Sequence, residues 1–308
     1  MKIGFIGLGS AGLGMVCNLA REGYQVTVND LDRSKAEPAL ELGATWGETP
    51  AETAAGVDVL ITSLPSSAAV NEVLTGDKGA FLTLSPGTIW MEMGTNIESE
   101  IIRLAEIASS QGVETIEAPV TGGIHLIDSG DVTILCGGKA NILEHVRPLL
   151  DVMGGEVLHI DRDLGKATTI KVITNMLAFI NLAGVREALM LAKKSEIDLK
   201  TAYEAIRLSS GNSFVHETEG QVILNGSYNI LFSMELVRKD IGFALEIAEQ
   251  NGVPVRLAEL VADIYEEGIE KYGGQAESPQ IAKLLEDEVG EELRAEGFPE
   301  KLTKGINV

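Results

Sequence analysis

In the stretch GKATTIKVITNML, Gly165 to Leu177, two polar residues stand in largely apolar company: Lys171 and Asn175. Four apart on a helix, they share one face, a turn from each other. Lysine is almost never fully buried unless paired. A lysine held among apolar residues near a helix start loses affinity for its proton, because desolvation and the positive end of the helix dipole both disfavour the cation. From its ordinary value of about 10.4 it could fall far enough to act as a general acid or base near neutrality. Asn175, uncharged, would orient lysine or ligand by hydrogen bonding without fixing a protonation state. The plainer alternative is a snorkelling lysine whose stem covers apolar surface. Histidines occur at 125, 145, 159 and 216, with no carboxylate partner readable from the sequence, so Lys171 is the better candidate.

A second constellation opens the chain. KIGFIGLGSAGLGMVCNLA carries Gly7, Gly9 and Gly12 in G-x-G-x-x-G spacing, with Leu8, Ser10 and Ala11 between them. The spacing alone is weak. Its context is the one it needs: a strand before, a helix after, and Asn29-Asp30 at the end of the next strand, QVTVND. Gly7 permits the tight turn, Gly9 lets backbone approach a pyrophosphate, and Gly12 lets helix and strand pack closely. Free N–H groups and the dipole at the helix start favour the phosphates. Asp30 can accept from the adenosine ribose hydroxyls and would repel a 2′-phosphate, so NAD is expected; Arg33 nearby keeps NADP possible. The plainer reading of Asp30 is a turn residue before LDRS.

Thr121, Gly122 and Gly123 form a third group. A hydroxyl followed by two glycine N–H groups, leading into a helix predicted from Ile124, makes a small anion nest suited to a carboxylate; an ordinary strand-to-helix turn is the alternative. No set of Cys, His, Asp and Glu shows metal-ligand spacing.

These groups need elements to hold them. KIGFI, QVTVN, VDVLIT, TIWMEM, VETIEA and DVTILCGG are short, rich in β-branched residues and bounded by Gly, Pro or Asp, as buried strands are. AGLGMVCNLAREG and IESEIIRLAEIASSQG between them have helical period, the second stopping at Gly112. Alternation of this kind implies βαβ units and a mostly parallel sheet. SLP at 63–65 and MGTN at 93–96 fall at strand ends, the rim where ligands bind in open α/β sheets. After about residue 165 strand-like runs stop. TTIKVITNMLAFINLAGVREALMLAKKSE is one periodic segment that would extend about 40 Å, long enough to leave a first domain and form the spine of a second. DLKTAYEAIRLSSG, SFVHETEGQVIL, MELVRKDIGFALEIAEQNG and VRLAELVADIYEEGIEKYGG follow as further helices. The fold class is therefore an α/β Rossmann domain, 1–163, joined by a long helix to an all-α domain, 164–308. LLEDEVGEELRAEGFPEKLTKGINV reads as a solvated helix and a frayed tail.

The 308 residues carry 24 Lys and Arg against 46 Asp and Glu, a net charge of -22. That argues against nucleic acid or an anionic membrane as partner, since both need clustered cations. The N-terminus lacks a signal-peptide layout, the longest apolar run is broken by Asn181, Arg186 and Glu187, and Cys17 and Cys136 form no pattern. A soluble, cytoplasmic protein is expected. The long apolar helix has more surface than a small helical domain covers, so a homodimer or homotetramer is expected.

Four blocks together resemble the β-hydroxyacid dehydrogenases, the family that includes 3-hydroxyisobutyrate dehydrogenase, over nearly the whole chain to about residue 290. They are GFIGLGSAGLGM at 4–15, then EAPVTGG at 117–123, like the family's substrate-binding D-A-P-V-[ST]-G-G. GKATTIKVITN at 165–175 is similar to its G-x-G-x-x-x-K-x-x-x-N, and KDIGFAL at 239–245 is similar to its K-D segment. The resemblance implies hydride transfer between NAD(P) and the carbinol carbon of a small 3-hydroxy acid, giving the semialdehyde or keto acid. It implies Lys171 as general acid/base with Asn175 beside it, and Thr121, Gly122 and Gly123 as the carboxylate clamp. It implies cofactor contacts from Leu64, Pro65 and Thr95. Lys239 and Asp240 match the pair that closes over the cofactor; without the family they read as an exposed helix pair. Specificity is expected around 121–127, 210–214 and 232–236, Phe232 included. His125 could touch a polar group of the substrate, or be a surface helix histidine. Departures from the pattern are Ala11, Gly94, Ala167, Thr174 and Leu126, the last where a glycine is common; they leave the reaction class intact and the substrate open. Rival readings are an NADPH-dependent reductase of small aldehyde acids, disfavoured by Asp30-Leu31-Asp32, and a non-catalytic NAD-binding protein, disfavoured by intact Lys171 and Asn175. A sugar-phosphate dehydrogenase lacks its Arg/Lys cluster here, and imine reductases usually lack the lysine.

Overall fold

A computed structural model describes residues 1–302. The chain divides into two compact units, Met1–Lys171 and Val172 onward, so the division falls inside one helix.

The first unit is built on a nine-stranded sheet. Its strands are β1 (Lys2–Ile6), β2 (Gln25–Asn29), β3 (Thr45–Trp46), β4 (Val59–Thr62), β5 (Ile89–Glu92), β6 (Glu114–Glu117), β7 (Val120–Thr121), β8 (Thr133–Gly137) and β9 (Glu156–Asp161). The order is β3-β2-β1-β4-β5-β6-β8-β7, with β9 on β8. Pairing is parallel from β3 to β6; β8 then runs antiparallel to β6 and β7 and parallel to β9. The helices are α1 (Ser10–Arg21), α2 (Glu37–Glu41), α3 (Pro50–Ala54), α4 (Ser67–Thr75), α5 (Glu98–Ser110), α6 (Ile124–Ile127) and α7 (Ala140–Met153).

Alternate residues of the central strands feed two apolar clusters. Ile3, Phe5, Val59, Ile61, Ile89 and Met91 join one, while Ile6, Leu60 and Trp90 join the other. That two-sided burial is why these strands read as continuous apolar runs, and it is how a parallel sheet is sealed by helices. All six strands expected from sequence are present. β3 and β7 are too short to carry a period, and β9 has mostly exposed side chains, so none of the three announces itself.

The second unit is helical: most of α8 (Lys166–Lys194), then α9 (Leu199–Arg207), α10 (Phe214–Asn225), α11 (Met234–Gln250), α12 (Arg256–Tyr272) and α13 (Ile281–Val289). α8 is a single helix of 29 residues. Among the described residues it alone is long and apolar enough to cross a bilayer. Its Phe179, Leu182 and Leu189 instead join Tyr203, Val237, Ile241 and Tyr265 in the core of this unit.

The C-terminal stretch departs from the expected solvated helix and frayed tail. α13 buries Ile281, Leu284 and Glu286, and the chain beyond it buries Leu293 and Phe298. Glu286 takes an ion pair from Arg294 at 2.8 Å and a hydrogen bond from the Tyr228 hydroxyl at 2.8 Å, while Phe298 packs edge-on to Tyr203. The acidic composition concealed these few inward residues. Residues 303–308, the end of that tail, lie outside the described residues.

Candidate active site

β1, β2, β4, β5 and β6 run in parallel, so their C-terminal ends share one rim of the sheet. The glycine motif lies at the end of β1. Gly7 has φ +103, and a Cβ there would stand 2.2 Å from the Ser63 carbonyl oxygen. A Cβ on Gly12 would stand 1.9 Å from the Gly7 carbonyl oxygen, so only glycine lets α1 start this close to the turn. Gly9 is different: it is exposed, and no heavy atom lies within 4 Å of its Cβ position. Packing gives no reason for a glycine there; close approach of a ligand to bare backbone does. α1 has no side-chain cap and no acidic residue in its first turn, which leaves its N–H groups for an anion. Leu8 is buried, while Ser10 is exposed and Ala11 partly buried at the start of α1. A dinucleotide's pyrophosphate fits this cradle.

Asp30 ties the cradle to the end of β2. Its Oδ2 accepts from Leu8 N–H at 2.7 Å, and its Oδ1 from Asp32 N–H at 3.0 Å and Lys35 Nζ at 3.4 Å. Asn29 beside it is buried and donates Nδ2 to the Gly47 carbonyl at 2.8 Å, so the structure shows it pinning strands together. Arg33 pairs with Glu48 at 3.1 Å and lies over the Trp46 ring.

Leu64 is partly buried and Pro65 exposed after β4; Thr95 is partly buried after β5. Glu92, at the end of β5, organises that second loop. It is buried, accepts from Gly94 N–H at 2.7 Å and Asn96 Nδ2 at 3.0 Å on Oε1, and takes the Thr62 hydroxyl on Oε2. Trp90 Nε1 in turn donates to Thr62 at 2.8 Å. Burial, with a smaller push from Glu117, raises the Glu92 carboxyl to about 7 against the hydrogen bonds that favour its charge.

At 121–123 both glycines have positive φ, +118 and +94, in the left-handed range that frees successive N–H groups. Thr121 closes β7 and α6 follows. His125 is partly buried, and burial holds its imidazole below the usual range. Leu126 lies 3.2 Å from the Gly122 Cβ position, against the turn.

Lys171 is buried in the second turn of α8, only 8% exposed, the last residue of the first unit. Asn175 follows one turn on. In the second unit Asn175 Nδ2 donates to Asp240 Oδ2 at 2.7 Å, and Lys239 Nζ holds Asp240 Oδ1 at 2.6 Å. Asp240 is 1% exposed, so this is no exposed helix pair: the carboxylate anchors the asparagine. Lys239 also lies over the Phe243 ring. Phe232 stacks on Phe179 with ring centroids 6.2 Å apart. The family resemblance singled out Lys239-Asp240 but gave no sign that Asp240 meets Asn175, and the sequence passed over Glu92, whose burial no local pattern reveals.

Residues 2–161 match the model of the NAD binding domain of 6-phosphogluconate dehydrogenase, and 165–285 match that of the NAD-binding region of NADP-dependent 3-hydroxyisobutyrate dehydrogenase. The chain is 32% identical to 2-(hydroxymethyl)glutarate dehydrogenase of Eubacterium barkeri, over 94% of this chain and 96% of that one. It belongs to the β-hydroxyacid dehydrogenase family. NAD-dependent L-serine dehydrogenase of Pseudomonas aeruginosa is 29% identical over 94% of this chain and 99% of its own length. The crystal structure of 3-hydroxyisobutyrate dehydrogenase from Salmonella typhimurium superposes with a TM-score of 0.85 at 25% identity, covering 92% of this chain and 99% of that one. The protein is thus an NAD(P)-dependent 3-hydroxyacid dehydrogenase, and the Rossmann-plus-helical architecture expected from the alternation of strand and helix patterns is the family's.

Proposed function

We propose that the protein uses NAD to oxidise a small acid of the form HOCH2–CHR–COO⁻ to its semialdehyde, with Lys171 as the general base. The observation that carries the reading is the buried Lys171, one helical turn from an asparagine anchored by Asp240. The three enzymes compared above are named for substrates that share this hydroxymethyl-carboxylate unit and differ in R.

The chain's residues divide the work. The Thr121 hydroxyl and the Gly122 and Gly123 N–H groups hold the substrate carboxylate. Gly7, Gly9, Gly12 and the start of α1 hold the pyrophosphate, and Asp30 the adenosine ribose. Bound NAD supplies the hydride acceptor. Lys171, deprotonated, takes the hydroxyl proton at Nζ as the C–H bond breaks; in reduction its ammonium returns it and steadies negative charge on the carbonyl oxygen. Asn175 orients the group being deprotonated. Arg33, engaged by Glu48 and Trp46, leaves Asp30 to set the preference for NAD over NADP.

The test is NADH formation with 3-hydroxyisobutyrate, L-serine and 2-(hydroxymethyl)glutarate. Lys171→Ala should lower turnover about 10²- to 10⁴-fold with NAD affinity retained. Near-native turnover removes the lysine from the mechanism. Tight NAD binding with no oxidation of any acid favours a binding protein instead. We propose a homodimer or homotetramer, supported by exposed Ile173, Leu177 and Leu191 along α8, and a cytoplasmic setting. Light scattering that returns a monomer rejects the oligomer.

A further inference from the structure

α8 begins without the usual cap. The position before its first residue is Gly165, which has no side chain to satisfy the free N–H groups of the first turn. A carboxylate from elsewhere does so. Glu117, the last residue of β6 and fully buried, accepts from Ala167 N–H on Oε1 at 2.9 Å. Its Oε2 accepts from Thr168 N–H at 3.3 Å and the Thr168 hydroxyl at 2.7 Å. One glycine makes room for Glu117 and another for Glu98, a second carboxylate on the first turn. A Cβ on Gly137, the residue opposite Glu117 on β8, would stand 2.2 Å from Glu117 Oε1. A Cβ on Gly165 would stand 2.3 Å from Cγ of Glu98, whose carboxylate binds Lys166 Nζ at 2.8 Å and the Thr169 hydroxyl at 2.9 Å.

A serine or threonine at the helix start would cap α8 and tie it to nothing else. Glu117 lies fifty residues upstream of Ala167 and caps α8 from the sheet. Ala167 and Lys171 are four apart on one helix face, so the residue whose amide Glu117 holds is one turn before the lysine. The same short segment runs on from Glu117 into the Thr121–Gly123 turn. One stretch of backbone thereby fixes both the lysine helix and the carboxylate-binding turn.

We propose that Glu117 is a positioning residue for Lys171: by capping the first turn of α8 from β6, it sets where the lysine stands relative to the 121–123 turn. This rests on Lys171 as the acid/base, so the test separates the two.

Glu117→Gln keeps the size but places an amide NH2 against a backbone or hydroxyl donor. Hydrogen exchange of the amides at 167–171 should quicken about tenfold. Turnover on the fastest of 3-hydroxyisobutyrate, L-serine and 2-(hydroxymethyl)glutarate should fall roughly 10- to 100-fold, because slight misplacement of a catalytic group is costly. KM and the Kd for NAD should hold, which a general loss of structure would not permit. Thr168→Val, which removes only the hydroxyl bond, should move both readouts in the same direction by about threefold, and serves if the glutamine variant does not fold. Unchanged exchange, or quickened exchange with unchanged turnover, overturns the proposal. Lys171→Ala run in parallel identifies a failure of the lysine assignment, since the exchange measurement does not depend on it.

Discussion

Glu92→Gln should change how the stability of the first unit depends on pH. Glu92 is 1% exposed, and it stands in register beside Glu117 on the next strand. Burial raises its carboxyl from an ordinary 4.5 to about 7. The folded state therefore binds this proton more tightly than the unfolded chain does. The resulting stabilisation is fully present below pH 4.5 and is lost as pH rises through 7. Its size is about 3 kcal/mol, which in a domain of this length is about 6–12 °C in Tm. Glutamine mimics the protonated acid. Gly94 N–H and Asn96 Nδ2 both point at Oε1, so the amide oxygen takes that place and its NH2 meets Thr62. Wild type and variant should have similar stability at pH 4.5, and the variant should be more stable by about 3 kcal/mol at pH 8. Both tryptophans, Trp46 and Trp90, lie in the first unit, so their fluorescence during urea unfolding reports on it. Parallel stability-versus-pH curves for the two proteins would refute the reasoning.

Two further substitutions probe the cofactor cradle. Asp30→Ala removes the acceptor for Leu8 N–H and, on the proposed reading, the one for the ribose; the KM for NAD should rise roughly 10- to 100-fold and use of NADP improve, whereas an unchanged preference shown by paired NAD and NADP kinetics rejects the assignment. Gly12→Ala puts a methyl 1.9 Å from the Gly7 carbonyl oxygen, so loop and helix must separate; calorimetry should show NAD affinity at least about tenfold weaker, and native affinity would mean the close contact is dispensable.

The fold was readable where burial leaves a periodic trace. β1, β2, β4, β5, β6 and β8 are buried on both faces and rich in β-branched residues, and α8 holds a helical period for 29 residues. β9 and the chain around Leu293 and Phe298 were not, since exposure hides the first and acidic neighbours hide the second. The glycine motif is local and its geometry followed from spacing. Long-range partners left no such trace. Nothing in KDIGFAL shows that Asp240 meets Asn175, and nothing in EAPVTGG shows that Glu117 caps a helix fifty residues on. Ala167, which replaces a glycine of the family's pattern, keeps the N–H that the cap uses.

The Asn175–Asp240 bond gives the amide a direction. A carboxylate accepts, and Lys239 Nζ holds Asp240 in place, so the NH2 end of Asn175 is committed to Asp240 and its carbonyl oxygen lies on the opposite side of the amide. The asparagine cannot turn over without setting its oxygen against an anion. Aspartate, which matches it in shape, would turn the same contact from attraction to repulsion. Asn175 is therefore a one-way part, its orientation set by a residue 65 positions along the chain.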